Sequence, residues 1–257
     1  MKLGVSYNLF DGEELLEDSL LSIIDSVDYV SIVCQKISNF GEKANPSLMD
    51  TLLKLKDGGL INDIVIYEPN INKGGHLNEI HKRNMGLILS RQNDCTHHMS
   101  MDSDEFYIKE ELDYVKDVII EGDYDGSAFK MITYYKDYSH RIEPKEEYFV
   151  SGIFKIKEDS KYDFNNILPV LVDPTRKIKS KNFREFDRNE IEMHHMSYVR
   201  DNIFKKLRNS SAKNNFKNVE NIVKYFNEWE YPKKAIMAGT PNKVSEVVKV
   251  ENKFNKT

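Results

Sequence analysis

The feature that most constrains this chain is the regular alternation of short apolar runs with helix-patterned segments over its first hundred residues. Residues 2–7, 29–34, 61–67 and 95–101 each read as a strand, and Ile64-Val65-Ile66 is the continuous apolar run of a strand covered on both faces. Between them, 13–25 carries Leu15, Leu16, Leu20, Ile23 and Ile24 on one side of a helix. Residues 46–56 read as a second helix, with Asn45 as cap, Pro46 at the first turn and Gly58-Gly59 at its end. A turn-rich loop over 68–75 leads to a third helix over 76–91. Strand–helix–strand units of this length cross over in one hand, so the strands must lie parallel with helices on both faces of the sheet. Ligands of such a sheet bind beyond the carboxyl ends of its strands. Three segments converge on that edge: Ser6-Tyr7-Asn8, Lys73-Gly74-Gly75 and Asp102-Ser103-Asp104.

After Tyr107 the pattern changes. A helix is expected over 110–121 and a turn at Asp123-Tyr124-Asp125-Gly126. Strands over 127–135 and 148–156 have no helix between them, so this half should be mixed or antiparallel. A further strand is expected at 168–172, helices at 201–215 and 219–228, and a polar tail or short helix at 243–257. No repeat or linker interrupts the chain. The expected organisation is one α/β domain over 1–257, with a ligand-binding half (1–107) and a second half (108–257) carrying the C-terminal helices.

Composition excludes some classes. No apolar stretch reaches the length of a membrane span, and residues 1–7 turn polar too quickly for a secretion signal. Cys34 and Cys95 sit in or beside strand-like runs as buried thiols, which fits a reducing, cytoplasmic setting. The net charge of −5 is uneven: residues 173–217 hold twelve Lys/Arg against six Asp/Glu, so this segment is +6 and the remainder −11. Such a segment suits either a polyanionic partner or an ordinary lysine-rich surface.

Two D-x-D triplets occur. Asp123-Tyr124-Asp125 lies in a turn that wants Asp and Gly for backbone reasons. Asp102-Ser103-Asp104 follows the fourth strand at the ligand edge, and Glu105 makes three carboxylates in four residues. Carboxylates so crowded repel one another unless a cation or strong donors sit among them. Their hard oxygens suit Mg²⁺ or Mn²⁺, with water and phosphate completing the shell; a solvated acidic loop is the other reading.

Val5-Ser6-Tyr7-Asn8, Lys82-Arg83-Asn84-Met85-Gly86-Leu87 and His98-Met99-Ser100-Met101-Asp102-Ser103-Asp104-Glu105-Phe106 together resemble the GT-A fold glycosyltransferases of the family 2-like type. The resemblance covers 1–107 and a downstream histidine. It implies a nucleotide-diphosphate sugar as donor and transfer of its sugar to an acceptor hydroxyl. It places Ser6, Tyr7 and Asn8 at the nucleobase, Arg83 and Asn84 near the nucleotide, and Asp102, Ser103 and Asp104 at a divalent metal that bridges the diphosphate. It also implies a metal-ligating histidine from the dyad His194-His195, expected ahead of a C-terminal helix, with His195 preferred. The leaving diphosphate needs its charge neutralised, and Lys73 or Arg83 could assist the metal.

A general base is harder to find. Glu158-Asp159 has no supporting context, and Glu185 and Asp187 are weak candidates between Arg184 and Arg188. On the 201–215 helix, Ile203, Phe204 and Leu207 form the expected buried stripe, and Lys205, Lys206 and Arg208 the wet side. The acceptor is expected to be a glycan or similar saccharide. A modified nucleic-acid base is the alternative that the +6 segment would favour, and a non-catalytic nucleotide-sugar-binding protein is a further one. A sugar nucleotidyltransferase would need a Gly-rich phosphate loop after the first strand, which residues 8–13 lack. An aspartyl-phosphate phosphatase would carry its D-x-D after the first strand.

Overall fold

A computed structural model describes residues 1–254. Four strands, β1 (Leu3–Leu9), β2 (Tyr29–Cys34), β3 (Asp63–Ile66) and β4 (His97–Asp102), form a parallel sheet in the order β3-β2-β1-β4. Helices α1 (Leu16–Ile23), α2 (Leu48–Asp57) and α3 (Gly75–Gln92) connect them. The expected α/β architecture is therefore present. The register sets Asn8 beside Asp102 at the carboxyl edge. β1 and β2 are buried along their whole length, as strands covered on both faces must be. Gly86 lets α3 lie directly on β1, because a Cβ there would collide with Ser6 Oγ.

The second half is mixed. β5 (Glu105–Phe106) leads into α4 (Lys109–Glu121), followed by β6 (Gly126–Tyr135), β7 (His140–Glu143), β8 (Phe149–Ser151) and β9 (Phe154–Lys155). β9 joins the first sheet antiparallel to β4. A long loop precedes β10 (Phe183–Glu185) and β11 (Glu192–Tyr198), and both pair parallel to β6. The chain ends in α5 (Ile203–Asn209), α6 (Val219–Asn227), β12 (Ala235–Met237) and β13 (Lys243–Lys249). One core takes residues from both halves, including Leu3, Tyr7 and Met99 with Phe129, Phe186 and Met193.

Several sequence expectations shift. The histidine dyad lies within strand β11, where successive side chains take opposite faces. Residues 168–172 form no strand. Asn45 does not cap α2, since its amide donates to Glu13 Oε1 at 2.6 Å. The helix expected over 201–215 stops at Asn209, and Asn202 caps it by accepting from Lys205 N. In place of a tail or terminal helix, β13 pairs antiparallel with β7 and β12; residues 255–257 lie outside the described residues. Among the described residues no helix is long and apolar enough to cross a membrane.

Candidate active site

Asp102 closes β4, and the two-residue turn Ser103-Asp104 leads straight into β5. β5 then pairs antiparallel with β11, setting Glu105 opposite His195 and Phe106 opposite His194. A bond from Met196 N to Asp104 O, at 2.7 Å, extends that pairing into the acidic turn. This backbone ladder brings the C-terminal half to the acidic loop. A cavity of about 300 Å³ lies over the junction, with Asn8, Lys82, Arg83, Asp102, Ser103, Asp104, Asp173, His195, Arg200 and Lys206 in its walls.

Each carboxylate of the triplet is held by cations from distant parts of the chain. Asp102 accepts from Arg176 Nη2 at 2.8 Å and Arg83 Nη2 at 3.3 Å. Arg176 also donates to Glu105 from both Nη1 and Nη2 and is almost fully buried. Asp104 Oδ2 accepts from Lys206 Nζ at 2.5 Å and Arg200 Nη2 at 2.8 Å, and His195 Nε2 stands 3.7 Å away. Burial alone would raise the Asp104 pKa, but Lys206 and Arg200 outweigh it and hold the group well below the ordinary range. Burial pushes His195 down to about 4, so its imidazole is neutral at neutral pH. The same desolvation lowers Lys206 from its usual value, opposed by the Asp104 charge.

Arg200 reaches Asp104 over Gly12. Gly12 has φ +91°, and a Cβ there would collide with Arg200 Nη1 and lie 2.8 Å from Ser103 Oγ. Left-handed backbone and the need for open space thus coincide at one residue, and only glycine meets both.

The residues singled out from sequence separate into two groups. Asn8, Arg83, Asp102, Ser103, Asp104 and His195 line the cavity. Ser6 lies two residues deeper in β1, buried beneath α3 at Gly86. Tyr7 takes the opposite face of the strand, where its hydroxyl meets Ser19 Oγ at 3.0 Å. Asn84, one step around α3 from Arg83, holds the backbone of Tyr162 through both ends of its amide. Lys73 is exposed on the loop before α3, away from the cavity wall. His194 faces away from Asp104 and shares a hydrogen bond with Tyr134 Oη at 2.9 Å, packed against Phe254. Burial holds His194 down at about 3. Glu185 and Asp187 are exposed at β10 and the turn after it, outside the cavity.

Sequence reasoning misses Arg176, Arg200, Lys206 and Asp173. Periodicity puts Lys205, Lys206 and Arg208 on the wet side of α5; Lys206 instead lines the cavity and Lys205 is buried with Asp11 at 3.3 Å, while Arg208 is exposed as expected. The +6 segment accordingly turns much of its charge inward. Arg176, Arg200, Lys205 and Lys206 face site carboxylates, and Arg184 and Arg188 pair with Glu190 and Glu192. The second D-x-D is structural, as its turn position implies. Asp125 is buried and accepts from Lys157, from Ser180 Oγ, and from the backbone N–H of Lys181 and Asn182 at 2.9 Å each.

Neither a family model nor a curated protein matches this chain. Solved structures do. Residues 1–349 of S. aureus TarS align over 81% of this chain and 64% of that one, with a TM-score of 0.50 at 14% identity. A longer S. aureus TarS structure covers 81% and 38%, with a TM-score of 0.49 at 14% identity. TarS 1–349 in complex with UDP-GlcNAc covers 52% and 35%, with a TM-score of 0.39 at 21% identity. The chain thus has a GT-A-like α/β fold, a mostly parallel sheet flanked by helices. It spans about a third of the length of the nucleotide-bound structures it matches. Fold by itself does not assign an activity.

Proposed function

We propose that this chain is a glycosyltransferase that moves a sugar from a nucleotide-diphosphate sugar to the hydroxyl of a saccharide acceptor. The observation that carries the reading is the cavity at the carboxyl edge of the parallel sheet. There Lys82, Arg83, Arg200 and Lys206 gather around Asp102 and Asp104, a cation density suited to a diphosphate. The resemblance read from sequence and the GT-A-like fold point the same way, and S. aureus TarS has been solved with UDP and with UDP-GlcNAc. On this reading residues 1–107 hold the donor and 108–257 build the acceptor side.

The donor set fits a divalent ion on one condition. Among the described residues no three His, Cys, Asp or Glu side chains are grouped to hold a metal. Asp104 and the neutral imidazole of His195 face each other 3.7 Å apart, which offers two protein ligands. Mg²⁺ and Mn²⁺ sites of that kind are completed by substrate phosphates and water. A bound ion would supply Lewis-acid stabilisation of the leaving diphosphate. Asp102, already held by two arginines, keeps Arg83 aimed at the cavity.

Asp173 is the carboxylate we assign as general base. Its Oδ1 accepts from Thr175 N and Oγ1, while Oδ2 has only Arg83 at 3.7 Å and Arg176 at 4.0 Å. A side chain 39% exposed at the cavity wall leaves that oxygen open to an acceptor. In the step, the bond from the anomeric carbon to the diphosphate oxygen breaks and one to the acceptor oxygen forms. Asp173 takes the hydroxyl proton, and Arg83, Arg200 and Lys206 hold the departing phosphates.

A thermal-shift panel of nucleotide sugars with Mn²⁺ tests the reading. The true donor at about 100 times its dissociation constant should add about 2.7 kcal/mol of apparent stability. Slow release of nucleoside diphosphate from that donor separates enzyme from binding protein. A panel in which no nucleotide sugar shifts the melt would sink the proposal.

A further inference from the structure

One short stretch from β11 to α5 supplies His195, Ser197, Arg200 and Lys206 to the cavity. Two of these residues sit on the carboxylate that a metal would need. Lys206 Nζ and Arg200 Nη2 share the single oxygen Asp104 Oδ2, and His195 Nε2 points at the same atom from 3.7 Å. A divalent ion arriving alone would meet one carboxylate already facing two cations, with no third protein ligand to recruit among the described residues. A diphosphate changes that balance, since its oxygens can both complete the metal shell and accept from the displaced cations. Lys206 is built for such an exchange. Its Nζ also donates to Ser197 Oγ at 2.9 Å, so it stays anchored at the cavity when it releases Asp104.

We propose that Lys206, with Arg200, is the resident counter-cation of Asp104, displaced onto the diphosphate when metal and nucleotide load together. Lys206 thereby couples the two ligands. It blocks metal without nucleotide, and it clamps the nucleotide once the metal has taken Asp104. This inference rests on the glycosyltransferase reading for its diphosphate but adds a property that reading does not require.

The test is Mn²⁺ binding, followed by the electron paramagnetic resonance signal of the free ion, with and without UDP. In the wild-type chain UDP should tighten the Mn²⁺ constant by about 5- to 150-fold, and Mn²⁺ should tighten UDP equally, because coupling is reciprocal. K206M should bind Mn²⁺ alone about tenfold more tightly than wild type, since the competing charge is gone, and its coupling should fall by at least about the same factor. K206R, which keeps the charge, should behave as wild type. K206Q carries the same expectation as K206M should that variant not fold. An unchanged Mn²⁺ constant in K206M and K206Q without nucleotide would overturn the proposal, as would wild-type Mn²⁺ binding that UDP leaves unaltered. A chain that binds a nucleotide sugar without any metal coupling keeps the glycosyltransferase reading and loses this one.

Discussion

Asp104 and Asp125 have the same chemistry and opposite surroundings, so replacing each by asparagine separates site from scaffold. Asp125 is buried, and its Oδ1 accepts two backbone N–H groups that the carboxamide oxygen of an asparagine could still satisfy. D125N loses the charge-assisted bond from Lys157 and turns an amide N–H₂ toward that ammonium. Losing one such bond costs about 1.5–3 kcal/mol. For a chain of 257 residues that is a melting-temperature drop of roughly 3–6 °C. Turnover per folded molecule should stay within about twofold, since nothing in the cavity moves. D104N also removes the carboxylate that Lys206 and Arg200 share, leaving Arg200 only Glu14 at 3.7 Å, so it too should melt earlier. Its distinguishing effect is on chemistry: with the proposed metal ligand gone, kcat/KM should fall by about 10²–10³, the usual loss on removing one pre-organised electrostatic group. The assay is nucleoside diphosphate release at 25 °C, normalised to folded protein. Equal losses of turnover in the two variants, or a D104N enzyme within about fivefold of wild type, would refute the assignment of the site.

Gly12→Ala should cost about 1–2 kcal/mol of backbone strain at φ +91° and in addition push Arg200 off Asp104, weakening nucleotide binding. Gly41→Ala, at φ +89° with nothing within 4 Å, carries the backbone cost alone; equal nucleotide affinity in both variants would contradict the Arg200 clash. Stability should also depend on pH through the buried histidines. Burial lowers His98 and His194 to about 3 and His97 and His195 to about 4, while the unfolded chain takes up these protons near pH 6.5. The folded state binds fewer protons, so stability is complete above about pH 6.5 and falls as the pH drops toward 4. Denaturant titrations at intervals from pH 7.5 to 4.5 should show that slope, and His194→Phe should reduce it by about one proton, or 1.36 kcal/mol per pH unit. A flat profile would contradict the burial account.

Residues close together in sequence carried their meaning in the sequence itself. The strand–helix alternation over 2–101 required a parallel sheet, and the sheet required a ligand edge at Asp102, because crossover chirality and strand direction are local properties of the backbone. The turn chemistry at residues 123–126 likewise marked the second triplet as structural, and Asp125 indeed ties down the backbone at Lys181 and Asn182. The cations of the site were not legible in this way. Arg83, Arg176, Arg200 and Lys206 meet Asp102 and Asp104 across 19 to 102 positions of chain. Helical periodicity could divide α5 into an apolar and a polar face, but it could not say whether the polar face meets water or a cavity. The sequence pattern set the dyad ahead of a helix; only strand β11 puts His194 and His195 on opposite faces, and only its pairing with β5 brings His195 to Asp104. The sequence by itself determined the sheet, its ligand edge and the acidic turn upon it. The tertiary structure decided which charges neutralise that turn, because a buried carboxylate takes whichever cations the long-range strand pairing and loop packing bring within reach.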